Sequence, residues 1–298
     1  MSREPSDGRP SLDFILATPS SSPTVLQLSV GLRMRSLREA AGIKPQDAAA
    51  HIRCSDSKIS RMECGKSPLK ERDVVDLLMF YGAPAMEVEA ARQLVALSNQ
   101  PGWWERYGKL VVPDWFDKLI GLQEGASLIR TYEVLLVPGL LQTREYAWAV
   151  AVKGYPLADR VDIEARVELR MRRQDILRRA GGPKLWAFLD LGVLERQVGS
   201  REVMRGQIEH LIAMARQPRI TLQFAQADFF SLGLPVTLVR FGIDIPDVVY
   251  IENSLGANYY DGQKETEHFR ALLDSLVTCA FSPEETVQLL DRALERYR

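Results

Sequence analysis

Asp56, Ser57, Lys58 and Arg61 stand within six residues of one another and could do recognition chemistry. On a short helix they would share an exposed flank, while Ile59 and Met62, at i and i+3, turn inward. An arginine in such a place can address guanine O6 and N7 together, and shorter polar side chains near a helix start reach base edges. Arg61 is therefore the foremost expected base reader, joined by Asp56, Ser57 and Lys58. Arg38, Lys44, Lys66 and Lys70 flank the segment and are expected to hold phosphates, which fixes register without reading sequence. Other chemistry has little support. His51, His210 and His268 are isolated, and neither a G-x-S-x-G elbow nor a glycine-rich phosphate loop occurs. Cys54 and Cys64 near His51 match no common zinc spacing, so neither catalysis, metal nor cofactor is expected.

The elements that must position these residues are legible around them. Gly42 ends a first helix whose buried side is read as Leu32, Leu37 and Ala41. Pro45 opens a second helix at the one helical position that tolerates it. Ala48, Ala49 and Ala50 allow close packing, and Arg53 and Cys54 leave a short turn before Ser55 and Asp56, both good N-caps. Gly65 closes the third helix. The spacing predicts a helix-turn-helix inside five short helices over residues 28–98.

The 298 residues suggest two domains, one of them small. Residues 1–27, rich in Ser, Pro and Gly, read as a mobile tail, with an apolar patch at Leu12 to Leu16 able to dock. Residues 99–298 mix periods and read as a larger α+β domain. Strands are expected at 131–137, 184–189, 219–224, 236–241 and 248–252, and helices at 158–179, 201–216, 266–280 and 283–297. Ser282, Pro283 and Glu285 form a capping-box start for the last helix. The fold class is thus a mainly α head followed by an α+β domain. Between Leu28 and Gly82 ten Lys and Arg face seven Asp and Glu, so the head is positive although the whole chain carries −1. No apolar run reaches membrane-spanning length, no secretory leader is visible, and three cysteines suit a reducing compartment. A cytoplasmic, nucleoid-associated protein without membrane contact is expected.

The run Arg166, Arg170, Arg172, Arg173, Arg178 and Arg179 alternates with Glu164, Glu168 and Asp175 and reads as a salt-bridged solvent face or partner surface. Most aromatic residues are expected in the core or a packed interdomain joint, with Trp103, Trp104, Tyr132, Tyr146 and Tyr259 as candidates for partner or ligand contact.

The residues SKISRMECGK after PQDAAAHI resemble the phage-repressor or Xre-type helix-turn-helix, with the pattern S-x-I-S-x-x-E-x-G, over residues 28 to about 82. The resemblance implies that Glu63 belongs to the scaffold and that Asp56, Ser57 and Arg61 contact bases. Lys44 and Pro45 depart from the Thr or Ser, then Gln, common there. Farther on, VPGLLQT, the R-x-x-R-Q of Arg170 to Gln174, and VVYIEN together resemble actinobacterial regulators in which such a head precedes a sensor-like domain. That resemblance implies a homodimeric transcriptional regulator acting on a double-stranded DNA operator, often paired with a short companion protein encoded nearby. The alternative is an antitoxin-like interaction protein that sequesters its companion, with DNA binding serving autoregulation.

Overall fold

The computed structural model describes Leu12, Ile15 and residues 22–226, 233–242, 245–253 and 255–297. It divides into two compact units. The first runs to Trp103, with Phe241–Ile245 counted with it, and the second takes Trp104–Arg240 and Pro246–Arg298.

From Ser22 on, the described residues of the head carry α1 (Pro23–Ala40), α2 (Pro45–His51), α3 (Asp56–Glu63), α4 (Glu71–Phe80) and α5 (Ala85–Ser98). The expected tail is shorter than residue 27. Ser22 caps α1 by accepting from the Val25 amide, and Pro23 takes the first helical position, so the Ser-Pro pair is a helix start and not part of a tail. Leu12 and Ile15 are buried in the head core. The other residues of the expected tail before Ser22 lie outside the described residues. Because α1 starts early, its buried face is Val30, Met34 and Leu37; Leu32 is half-buried and Ala41 exposed, contrary to expectation. Ile59 and Met62 do point inward.

The glycines behave as the turns require at Gly42 and Gly65, whose φ values of 68° and 59° lie in the left-handed region. Gly31 serves another purpose. A Cβ there would come 2.4 Å from the Met62 carbonyl oxygen, so its absence lets α1 approach the end of α3. Two buried ion pairs complete the frame. Arg38 Nε and Nη2 donate to the Glu63 carboxylate at 2.6 and 2.9 Å, and Arg33 Nε and Nη2 donate to Glu87 at 2.5 and 3.2 Å.

The second unit is α+β. Its sheet has the order β3-β2-β1-β4-β5-β6, from β1 (Ala126–Glu133), β2 (Lys184–Leu189), β3 (Ile220–Phe224), β4 (Val236–Phe241), β5 (Val248–Asn253) and β6 (Gly256–Tyr260). The β1–β2 and β2–β3 pairs are parallel, and β4–β5 and β5–β6 antiparallel. Strand β1 lies earlier than expected because the register Leu128↔Lys184 through Glu133↔Leu189 pairs residues 128–133 with β2, and the strand ends before Val134. The helices are the short α6 (Gly108–Val111), α7 (Asp114–Glu124), α8 (Arg144–Gly154), α9 (Arg160–Arg173), the short α10 (Asp175–Arg178) and α11 (Gly192–Glu195), α12 (Arg201–Ala215), α13 (Gln263–Cys279) and α14 (Pro283–Glu295). On one side of β1, Tyr132 joins Phe188, Leu273 and Leu276 in a core that includes α13. By the two-residue alternation of a strand, Ile129, Thr131 and Glu133 face the opposite side. Ser282 and Glu285 form the expected capping box, with both reciprocal bonds present. No described helix is long and apolar enough to cross a membrane.

Candidate nucleic-acid interface and an arginine-lined cavity

Helix α3 is built to leave one flank bare. Ser55 is its N-cap, accepting from the Lys58 amide, and the inward Ile59 and Met62 fix its rotation. Asp56, Ser57, Ser60 and Arg61 are exposed. The Asp56 carboxylate accepts the Ser57 amide at 2.8 Å, and the Ser55 and Ser57 hydroxyls lie 3.1 Å apart, so the N-terminal turn is ordered before any contact is made. The turn before α3 carries Arg53 at φ 55°, a left-handed conformation uncommon for a residue with a side chain.

Two of the sequence expectations change. Arg38 is buried, its guanidinium consumed by Glu63 and by the Ile43 carbonyl at 2.9 Å; it clamps α1 to α3 and does not offer itself to phosphate. Lys58 Nζ lies 2.5 Å from Asp73 Oδ2, tying α3 to α4, so it is not a free base reader. Lys44, Lys66 and Lys70 are exposed, as phosphate contacts need to be. Glu63 is a scaffold residue, as the resemblance implied.

The five aromatic candidates in and beside the second unit have structural positions. Trp104 is buried, with its indole N–H donating to Asp117 at 2.6 Å; Trp103 falls on the head side of the boundary between units. Tyr132 and Tyr146 are fully buried, and the Tyr146 hydroxyl accepts the Val137 amide at 3.3 Å. The Tyr259 hydroxyl donates to the Trp115 carbonyl.

None of these five lines a cavity of about 510 Å³ in the second unit. Its wall is built by β1, by the Val137–Gln142 turn, by α9 and by the end of β5. Arg166, Arg170 and Arg173, at i, i+4 and i+7 on α9, all face it. This corrects the solvent-face reading for Arg166, Arg170 and Arg173, whereas Arg178 is exposed and pairs with Asp175 as that reading expects. Glu164 and Glu168 instead pair with Arg144 at 2.8 and 2.6 Å, on the outer side of the helix. Arg166 donates to the Leu110 carbonyl at 2.6 Å and lies 3.7 Å over the Tyr155 ring. Arg170 donates to Gln142 Oε1 at 2.9 Å, and Arg173 donates to Gln123 Oε1 at 2.8 Å with its guanidinium 4.5 Å over Phe116. Burial pushes Arg170 down, and burial with the neighbouring Arg170 charge lowers Arg173 to about 10, still cationic at neutral pH.

Two carboxylates also line the space. Glu252 accepts the Tyr250 hydroxyl at 2.8 Å. Glu133 is raised to about 8, first by burial and then by the like charge of Glu252, against the Thr131 hydroxyl bond that favours its anion. At neutral pH it is mainly a neutral acid, leaving the arginines in excess. Chemically, the cavity offers forked donors beside flat apolar walls, the combination that takes carboxylates and phosphates.

A helix-turn-helix domain model matches residues 29–91, which places the head in the class of DNA-binding regulators. A second model, a domain of unknown function (DUF5753), matches residues 116–292, and the chain belongs to that family. No curated protein and no solved structure matches the chain.

Proposed function

We propose that the protein is a non-enzymatic, sequence-specific transcriptional regulator of the Xre type, acting as a homodimer on a double-stranded operator and controlled through its second domain by a ligand or a small companion protein. The observation that carries the reading is the bare flank of α3, where Arg61 is exposed and has no acidic partner among the described residues, while the rest of the helix is fixed by caps, core and ion pairs. A guanidinium so presented is accessible to a base edge. Lys44, Lys66 and Lys70 supply exposed charge for the backbone on either side.

Fluorescence anisotropy with an operator selected from a random pool, against a scrambled duplex, tests the proposal. Arg61→Ala is expected to lower operator affinity by about 1–3 kcal/mol, roughly 5- to 150-fold, and to leave scrambled-DNA affinity nearly unchanged. Equal losses on both duplexes would make Arg61 a phosphate contact, and absence of any preferred sequence would overturn the sequence-specific reading.

A further inference from the structure

The three segments that carry the C-terminal resemblance are far apart in sequence and meet around the same cavity. Val137 to Gln142 supplies the turn at its wall, Arg170 and Arg173 come from the R-x-x-R-Q segment, and Tyr250, Glu252 and Asn253 come from VVYIEN. The turn is held in place from behind. Gln174 Nε2 donates to the Gly139 and Gln142 carbonyls at 3.0 and 2.8 Å, and Gln142 Nε2 donates to the Val137 carbonyl at 2.7 Å. Gln142 is therefore fixed as it orients Arg170.

A packing defect would be apolar. Here three guanidinium groups project from one helix, and among the described residues none has a carboxylate within ion-pair distance. Arg173 is 7% exposed, and its Nε and that of Arg166 are buried without a hydrogen-bond partner. Desolvated like charges side by side cost free energy, and an anion relieves both the desolvation and the repulsion. Trp115, Phe116, Leu136 and Tyr155 add flat or apolar wall. The volume is that of a small-molecule site.

We propose that this cavity binds a small organic anion of metabolite size, its carboxylate or phosphate held by Arg170 and Arg173 and its apolar or planar body against Trp115, Phe116 and Tyr155. The assignment deepens the ligand-controlled half of the function proposed above and rests on that reading only for its consequence at DNA.

The test uses the full chain with three probes: phenyl phosphate, 3-phenylpropionate and the uncharged 3-phenylpropan-1-ol. Either anion, near saturation, is expected to raise Tm by about 3 °C or more and to change tryptophan fluorescence through Trp115, while the alcohol does neither. Arg170→Gln is expected to weaken anion binding at least about tenfold. Leu136→Trp, which adds bulk at the cavity wall and keeps all three arginines in the sequence, is expected to abolish it; where Arg170→Gln fails to fold, this variant carries the test. Stabilisation by neither anion, equal stabilisation by the alcohol, or unchanged affinity in the folded variants would overturn the proposal. DNA affinity without probes reports on the head separately. Anion binding without DNA binding would leave the site and remove the regulator reading, and the converse would remove the site alone.

Discussion

Glu133 binds a proton in the folded protein that it releases when the chain unfolds. Its ordinary value of 4.5 rises to about 8, chiefly through burial, so the folded state holds more protons across that interval. Stability from the neutral acid is complete below about 4.5 and is lost as pH climbs to about 8. Glu133→Gln, similar in size and always uncharged, is expected to flatten the dependence of Tm on pH through this window and to raise Tm at its upper end. A variant with the wild-type slope would place the titration on another group. At this scale the sequence was an uneven guide. The exposure of Asp56, Ser57 and Arg61 was legible because helical phase alone sets it. Arg38 was misjudged as a phosphate ligand because its partner, Glu63, is 25 positions away and reaches it only after the head folds. Arg170 and Arg173 looked solvated for a similar reason: acids alternate with the arginines along the chain, yet Glu164 and Glu168 turn to Arg144.

At the scale of elements, short-range signals were the dependable ones. Ser55, Thr143 and Ser282 cap the helices they introduce, and β2 and β4 occupy the expected residues, because capping and strand alternation are written in neighbouring positions. Strand β6 was missed. GANYY is poor in β-branched residues and forms against β5 through Tyr250↔Tyr259, a pairing that supplies what intrinsic preference does not. Gly31 was also overlooked, since a glycine inside a helix normally reads as a weakness. Its function is the approach of α1 to α3, where a methyl group would meet backbone and not a yielding side chain. Gly31→Ala is therefore expected to destabilise the head by about 1–3 kcal/mol, even though alanine is the better helix former. Denaturant melts of the wild type and variant check this. An unchanged or raised midpoint would mean that α1 slides to make room, and the helix-turn-helix frame is looser than its contacts indicate.

For the whole molecule, the proposed function makes the reach of one α3 a constraint on stoichiometry. Eight residues rising about 1.5 Å each span roughly 12 Å, and with Lys58 held by Asp73 the exposed readers on that helix are few. A specific operator complex needs discrimination of about 4–10 kcal/mol, whereas a good bidentate base contact gives about 1–3 kcal/mol, so a second head on the same duplex is the economical way to reach it. The proposed reading helix belongs to the first unit, and the second is the larger of the two. The full chain is therefore expected to run as a dimer in light scattering and to protect two half-sites about 34–36 Å apart, one helical turn of DNA. Changing the spacer by half a turn is expected to weaken binding toward the level of a single half-site, because the two recognition helices then face different sides of the duplex. If a monomer gives full affinity on one half-site, or if spacer length has no effect, specificity must come from contacts beyond α3, and the basic residues Lys66 and Lys70 become the first places to look.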